Sequence, residues 1–374
     1  MNNRVLQCNQ CKQKKENDLL HCECFKGEEK NEYIIRAERE CPYFKSTNEI
    51  SFNTFNYEQK KVLGGVFGFV IGDMLGVPVE FSAREERNRD LVKELRAYGT
   101  YHQPFGAWSD DSSLMLALLS ALVEGFTYEK LADNFADYYI NARFTPFGEM
   151  FDIGIATKNA INNYISGIPP IACGGTSEYD NGNGSLMRIL PFAFMKKMDD
   201  EELWIEMIEN VSALTHGHKR SKLACIFYCY MVSCLYEGAD KTEALEKTIH
   251  FVKKRCKRKY KEEFNVYSRI LDKSIIELSK NEIKSTGYVV DTFEAVIWLF
   301  FNEESYKETV LAAVNLGGDT DTIAAIVGGM AGVYYGINEI PENWIQTTAK
   351  KEEILKLVVE FQKMFCIEKG FDIV

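Results

Sequence analysis

The chain has 374 residues, 46% of them apolar, and a formal net charge of -11 at pH 7. That apolar content is enough for one large core plus a small appendage, and it excludes a disordered chain. The acidic balance excludes general affinity for nucleic acid, and the polar residues that follow Met1 resemble no apolar signal segment, so the expectation is a cytoplasmic protein.

The first stretch is rich in thiols. Cys8, Cys11, Cys22, Cys24 and Cys41 crowd residues 1–45, with His21 beside them, in a segment too short to be held by burial alone. Four thiolates from this set would make a tetrahedral Zn²⁺ site, with His21 as a substitute ligand; an iron-sulfur cluster or unligated thiols are the alternatives. A polar run rich in Ser, Thr and Asn, residues 46–56, reads as a linker. The main domain then occupies residues 57–374.

From Tyr57 the sequence YEQKKVLGGVFGFVIGDMLG carries Gly64, Gly68, Gly72 and Gly76 at steps of four, which stack on one face of a helix. Four glycines weaken a helix by about 4 kcal/mol unless another helix packs closely on them. Asp73 in the middle and Pro78 at the end argue against a membrane span. The expectation is a central core helix in which Asp73 is a buried acid that requires partners. Glu80, just past its end, is placed to reach a neighbouring site.

Ser109-Asp110-Asp111-Ser112 opens the apolar run LMLALLSALVEG, and Gly317-Gly318-Asp319-Thr320-Asp321-Thr322 opens IAAIVGGMAGVYYG. Asp, Ser and Thr at a helix start are ordinary caps. Two such starts on two buried helices, offering only oxygen ligands, suit a hard divalent cation such as Mg²⁺ or Mn²⁺. Between them, YEKLADNFADYYINA has helical spacing and another helix opens near Asp152, which reads as its cap. Gly174, Gly175, Gly182 and Gly184 mark a loop able to turn backbone N–H groups toward phosphate, ahead of a short helix near Ser185.

Further on, Trp204, Met207, Ile208, Val211 and Leu214 fall at helical intervals and end at Thr215-His216-Gly217-His218, a weak metal signal. Cys225, Cys229 and Cys234 lie in a buried helix as small apolar side chains. Residues 253–261 carry seven basic side chains in nine, a solvated helix end or a contact for an anionic partner. TFEAVIWLFFN and KEEILKLVVEFQKMF add helices, alternating strands are scarce, and no solenoid repeat is present. The fold class is therefore all-α, a single large orthogonal helical domain.

In order, GFVIGDMLGVPVEF, WSDDSSLM, FDIGIATKNAI, NGNGSLMRILP, THGH and NLGGDTDTIAAIVGGMAGVYYG resemble the ADP-ribosylglycohydrolase family over about residues 57–340. The resemblance implies an all-helical domain with two divalent metals at the base of a cleft that holds the distal ribose of ADP-ribose. It implies Ser109, Asp110, Asp111, Asp319, Asp321 and Thr322 as metal ligands. Glu80 matches the family's mobile glutamate and Asp152 an acid near the ribose, while Gly182, Asn183, Ser185, Met187 and His216 match residues lining the phosphate and ribose. Two positions depart from the pattern: Ser109 and Ser112 replace threonines, and Ile155 replaces an asparagine common in bacterial relatives.

The implied reaction is hydrolysis of the glycosidic bond between ADP-ribose and a modified protein or small molecule, with Glu80, Asp111 or Asp152 as general base. A non-catalytic ADP-ribose binder and a two-metal phosphohydrolase acting on the diphosphate are the rival readings. The cysteine-rich start lies outside the resemblance.

Overall fold

A computed structural model describes residues 14–15, 18–22, 50–195 and 200–365. Among these, the only strands are a short antiparallel pair near the start, β1 (Lys14–Lys15) and β2 (Asp18–Cys22), with Lys14 opposite Cys22. Of the thiols expected to bind metal, Cys22 ends β2, whereas Cys8, Cys11, Cys24 and Cys41 lie outside the described residues.

Everything else is helix and loop. The helices are α1 (Tyr57–Gly76), α2 (Arg84–Arg89), α3 (Asp110–Val123), α4 (Tyr128–Asn141), α5 (Ile155–Ile165), α6 (Glu201–Ala213), α7 (Lys219–Tyr236) and α8 (Lys241–Arg255). They continue with α9 (Glu263–Val266), α10 (Ser268–Leu271), α11 (Val289–Asn302), α12 (Tyr306–Val314), α13 (Thr320–Tyr335), α14 (Glu342–Thr347) and α15 (Lys351–Phe365). The all-α expectation holds for the main body.

Asn56 and Gln59 start α1 with a reciprocal pair: the Asn56 side chain accepts from Gln59 N at 2.8 Å and the Gln59 side chain accepts from Asn56 N at 3.0 Å. Beyond its first turn α1 is buried on every side. It is long and apolar enough to cross a membrane, yet its most apolar window is packed wholly inside the protein. Its glycine stripe faces α13, which runs antiparallel. A methyl group on Gly64, Gly68 or Gly72 would fall 2.2, 2.5 or 2.0 Å from the carbonyl oxygens of Gly332, Gly328 and Ala324. One on Gly76 would lie 2.2 Å from Asp321 Cα. The glycines are thus the cost of a backbone-to-backbone contact that ends at an acid of the site. Thr320 donates its hydroxyl to Gly76 O at 3.0 Å and fixes the register there.

Helices α3, α7, α11, α12 and α15 surround this pair and share one continuous core with it. The stretch expected as a linker is already packed from Ile50 onward. Gln346 brackets the Ile50 backbone with two hydrogen bonds, and the Phe52 ring meets Phe67 edge-on at 5.6 Å. Apolar Ile50 and Phe52 account for the difference, since each gains by burial.

Candidate active site

Asp73 explains why the start of α3 is rigid. It is buried in α1 and accepts from Ser109 N (3.0 Å), Ser112 N (3.0 Å) and the Ser112 hydroxyl (2.6 Å). An acid from another helix therefore shares the capping with Ser109, whose hydroxyl oxygen accepts from Asp111 N at 3.3 Å, at an end where both the N–H groups and the helix dipole favour negative charge. Burial pushes its carboxyl up to about 6, against the pull of these hydrogen bonds. Ser112 is committed to Asp73.

The start of α13 is held differently. Gly317 and Gly318 both take φ of +75°, and a side chain on either would collide with backbone of residues 82–84 or with Ser285 O. Three backbone hydrogen bonds clamp the turn: Phe81 N to Gly318 O (2.8 Å), Gly318 N to Ser82 O (2.8 Å) and Asp319 N to Ser285 O (2.9 Å). Arg84 then pins the surrounding loops, donating to the carbonyls of Leu316, Lys280 and Ile283. Glu80 is thereby tied to the same turn as Asp319.

These supports bring the acids together at the base of a cleft of about 630 Å³ lined by Glu80, Asp110, Asp111, Asp152, Asp319, Asp321 and Thr322. Carboxylate oxygens of Glu80, Asp319 and Asp321 lie within 4.8 Å of one another. Burial raises all six carboxyls, and repulsion by neighbouring acids adds to it for all but Asp319, where hydrogen bonds from Asn183 and Thr322 oppose it; Glu80 is pushed up to about 9, by burial and then by Asp152. Among the described residues Glu80 Oε2 and Asp111 Oδ1 are buried with no hydrogen-bond partner.

The hydroxyls complete a hard-cation donor set. Ser109 and Thr322 both donate to Asp111 Oδ2, at 3.2 and 3.3 Å. A hydroxyl whose proton is directed to a carboxylate keeps lone pairs for a cation. Orphaned acid oxygens, oxygen-only donors and clustered like charge together fit divalent cations such as Mg²⁺ or Mn²⁺.

The opposite wall is made by Gly182, Asn183, Gly184, Met187 and His216, with Gly154 to Thr157 at the start of α5. His216 Nδ1 is 2.8 Å from the Thr215 hydroxyl, and burial followed by Arg188 depresses its pKa to about 3, so the imidazole is neutral. Arg188 is fully buried, lies over the Phe135 ring and donates to Gly184 O, which fixes the glycine loop from below.

Several sequence expectations need correction. Ser185 does not line the cleft: its hydroxyl is buried behind the wall, 2.9 Å from that of Ser212. Asn183 borders the cleft, but its amide is committed to Asp319 Oδ2 (2.7 Å) and Thr292 Oγ1 (3.0 Å), and its N–H to Gly287 O. It orients one of the cleft acids. Asp152 is no cap, because α5 starts three residues later with Gly154 at the capping position. His218 caps α7 through Nδ1 and does not converge with His216. In the basic run, Arg255 and Lys259 pair with Glu201 and Glu209, while Cys256 and Tyr260 are buried.

Sequence reading missed Tyr101, Arg84, the 285–287 loop and Phe81, all at or directly behind the cleft. Gly99 beside Tyr101 was the one local sign, as a turn residue. Phe81 is 70% exposed at the rim with φ of 62°, and Ile155 is 81% exposed on the facing wall.

Comparison with known proteins agrees with this geometry. The family described as ADP-ribosylglycohydrolase matches residues 56–368. ADP-ribosylarginine hydrolase Tri1 of Pseudomonas putida (strain GB-1) is 30% identical over 303 residues, covering 79% of this chain and 76% of the relative. ADP-ribosyl-[dinitrogen reductase] glycohydrolase of Rhodospirillum rubrum is 28% identical over 297 residues, covering 78% and 92%. A solved structure titled "ADP-ribosylglycohydrolase-related protein complex" superposes with a TM-score of 0.67 at 27% identity, covering 82% of this chain and 98% of the other. With the acids of two helix starts and Glu80 meeting at the base of one cleft, and the family match spanning nearly all of the helical body, the chain belongs to the ADP-ribosylglycohydrolase family.

Proposed function

We propose that this chain hydrolyses the bond between the anomeric carbon of ADP-ribose and a modified acceptor, and so reverses ADP-ribosylation. The observation that carries it is the convergence of six carboxylates, four buried and two half-buried, beneath a neutral wall wide enough for a nucleotide. Asp110, Asp111, Asp319, Asp321, Thr322 and Ser109, with Glu80, would hold two Mg²⁺ or Mn²⁺ ions. Bound there, such ions supply Lewis-acid orientation of the ribose hydroxyls and a more acidic water.

The protein's own groups do the remainder. The α5 N-terminus opens onto the cleft with no side-chain cap, so its N–H groups and dipole suit the diphosphate. Neutral His216 offers hydrogen bonding without charge, and Met187 excludes water. The bond from the anomeric carbon to the acceptor breaks with its electron pair leaving on the acceptor, through an oxocarbenium-like state. Water oxygen bonds to that carbon and gives its proton to a carboxylate. Asp152, Glu80 and Asp111 all face the cleft base, and burial raises the proton affinity of each. General-base help of this kind is worth about 10² to 10⁴ in rate.

The named activities of the relatives make arginine-linked ADP-ribose the first substrate to try. Serine-linked, nucleobase-linked and small-molecule conjugates complete the screen, with products read by mass spectrometry in Mg²⁺ or Mn²⁺. Free ADP-ribose is the expected product. AMP would identify a phosphohydrolase, and tight ADP-ribose binding without cleavage a binding module. Residues 1–45 are proposed to form a separate module with one structural Zn²⁺ on thiolates among Cys8, Cys11, Cys22, Cys24 and Cys41. A cytoplasmic setting is proposed on the same reading, supported by five free buried thiols among the described residues.

A further inference from the structure

Two large apolar side chains stand in solvent at the mouth of the cleft. Phe81 and Ile155 are both largely exposed, both line the cleft, and neither belongs to the core. Single exposed apolar residues are ordinary on a protein surface. These two share one cavity, and Phe81 is unusual in its backbone as well. Its φ of 62° is left-handed, a region that a bulky residue enters only at a cost.

Neighbouring contacts enforce that conformation. Phe81 N donates to Gly318 O at 2.8 Å, Ser82 O accepts from Gly318 N at 2.8 Å, and Glu80 O accepts from the Thr100 hydroxyl at 2.8 Å. Glycine would take the same turn without strain. A ring that strains the chain and gains little burial adds little to the fold, and residues held in such backbone cluster at ligand clamps.

The place of the ring says what it meets. Glu80 is buried and converges with Asp319 and Asp321, while the next residue, Phe81, faces solvent. Across the cleft, Gly154 N donates to Asp110 Oδ2 at 3.2 Å, and Ile155 follows it as the first residue of α5. Each apolar side chain is thus the next residue after one bound into the acid cluster. On the function proposed above, on which this inference rests, the ribose that carries the acceptor sits at those acids and adenine lies beyond the diphosphate. The group that emerges past Phe81 is then the acceptor.

The chemistry of the rim narrows that acceptor. An exposed aromatic face favours a planar group, and the cleft lining holds six acids with no Lys or Arg, which favours a cation. A nucleic-acid acceptor is disfavoured by the net charge of -11. A guanidinium meets both conditions, being planar, always charged, weakly hydrated and suited to stacking on aromatic faces. We propose that Phe81 is a specificity-determining residue, an acceptor platform whose ring stacks a guanidinium-linked acceptor above the acids, with Ile155 as the apolar wall opposite.

The test compares ADP-ribosylarginine with ADP-ribosylserine on wild type, Phe81→Leu, Phe81→Trp and Phe81→Gly. Leucine keeps apolar bulk without a π face, and tryptophan restores the face. Discrimination is the ratio of the two kcat/KM values or, for a conjugate that is not cleaved, of inhibition constants. It should fall by about 10-fold in Phe81→Leu and recover in Phe81→Trp. The product ADP-ribose lacks the acceptor, so its dissociation constant by calorimetry should change by less than about twofold in Phe81→Leu. Melting temperatures should stay within about 2 °C, and Phe81→Gly should melt no lower than wild type despite losing discrimination.

Unchanged discrimination in Phe81→Leu would overturn the proposal. So would an equal loss of affinity for ADP-ribose and for both conjugates, which would make the ring a nucleotide contact, or a larger loss for a nucleobase-linked conjugate than for ADP-ribosylarginine. Failure of the functional reading is separable. A wild type that cleaves no conjugate, yet binds ADP-ribosylarginine more tightly than ADP-ribose by a margin that Phe81→Leu abolishes, refutes the reaction and leaves the platform standing.

Discussion

The two helix starts that carry the acids, Ser109 to Ser112 and Gly317 to Thr322, read almost alike in sequence and are supported in opposite ways. The start of α3 is fixed by side-chain chemistry, the Asp73 carboxylate accepting from Ser109 and Ser112. The start of α13 is fixed by backbone: a left-handed glycine turn clamped between residues 82–84 and Ser285, and a glycine stripe that brings α1 against it. The first depends on hydrogen bonds that a polar substitution weakens by degrees. The second depends on space, which an added methyl group removes at once.

The largest break is therefore steric. Gly72→Val must drive carbon into Ala324 O, with no flexible side chain to yield. It should cost more than the 1–3 kcal/mol typical of overpacking, about 4 kcal/mol or more, and show as insoluble protein or a collapsed urea midpoint. Gly125→Ala, at a glycine with open space around it and φ of +97°, should lose only about 1 kcal/mol.

Next comes charge at α13. Asp321→Asn should lower turnover by several orders of magnitude while the metal-free variant melts no lower than metal-free wild type, since it removes a charge from a repelling cluster. Equal turnover by variant and wild type would remove the metal assignment. At α3 the contrast appears as a graded loss. Asp73→Asn keeps one carbonyl acceptor but turns an amide toward donors, and should cost about 1–3 kcal/mol in urea unfolding with a 10- to 100-fold weaker Mn²⁺ affinity.

A pH series sharpens the comparison further. Glu80 rises from 4.5 to about 9 and Asp73 from 3.8 to about 6 on folding, both chiefly through burial. The folded protein then binds more protons than the unfolded chain, so stability falls as pH rises. For metal-free protein the contribution is complete below the unfolded values and is lost through about pH 6 for Asp73 and about pH 9 for Glu80. Urea midpoints with chelator at about pH 5.5 and about pH 8.5 should decline, and saturating Mn²⁺ should reverse the trend because protons then compete with the cation. The smallest effect on stability belongs to Ile155→Asn on the exposed rim, within about 0.5 kcal/mol. Its readout is acceptor preference in the substrate screen.

Legibility followed the range of the interaction. Long apolar runs marked α1, α3, α7 and α13, and helical spacing marked α4 and α6, because helix burial writes its pattern locally. Asp110, Asp111, Asp319 and Asp321 were readable because their helix starts are contiguous in sequence. The glycine stripe announced a close helix contact before its partner was known. Asp152 read as a cap only because an acid ahead of a helix has that local meaning, and the three-residue offset was visible only in the backbone.

What the tertiary structure alone decided lies in pairs far apart in the chain: Asp73 with Ser112, Asn183 with Asp319, and Arg84 with Lys280. No local pattern encodes such a pair, since a lone Tyr, Asn or Arg in a loop has the same sequence signature whether it meets water or a buried acid. The sequence by itself determined which residues bring charge and which helices must be buried. Where the Ser185 and Asn183 side chains point was decided by packing, because a side chain's direction depends on what the rest of the chain places around it.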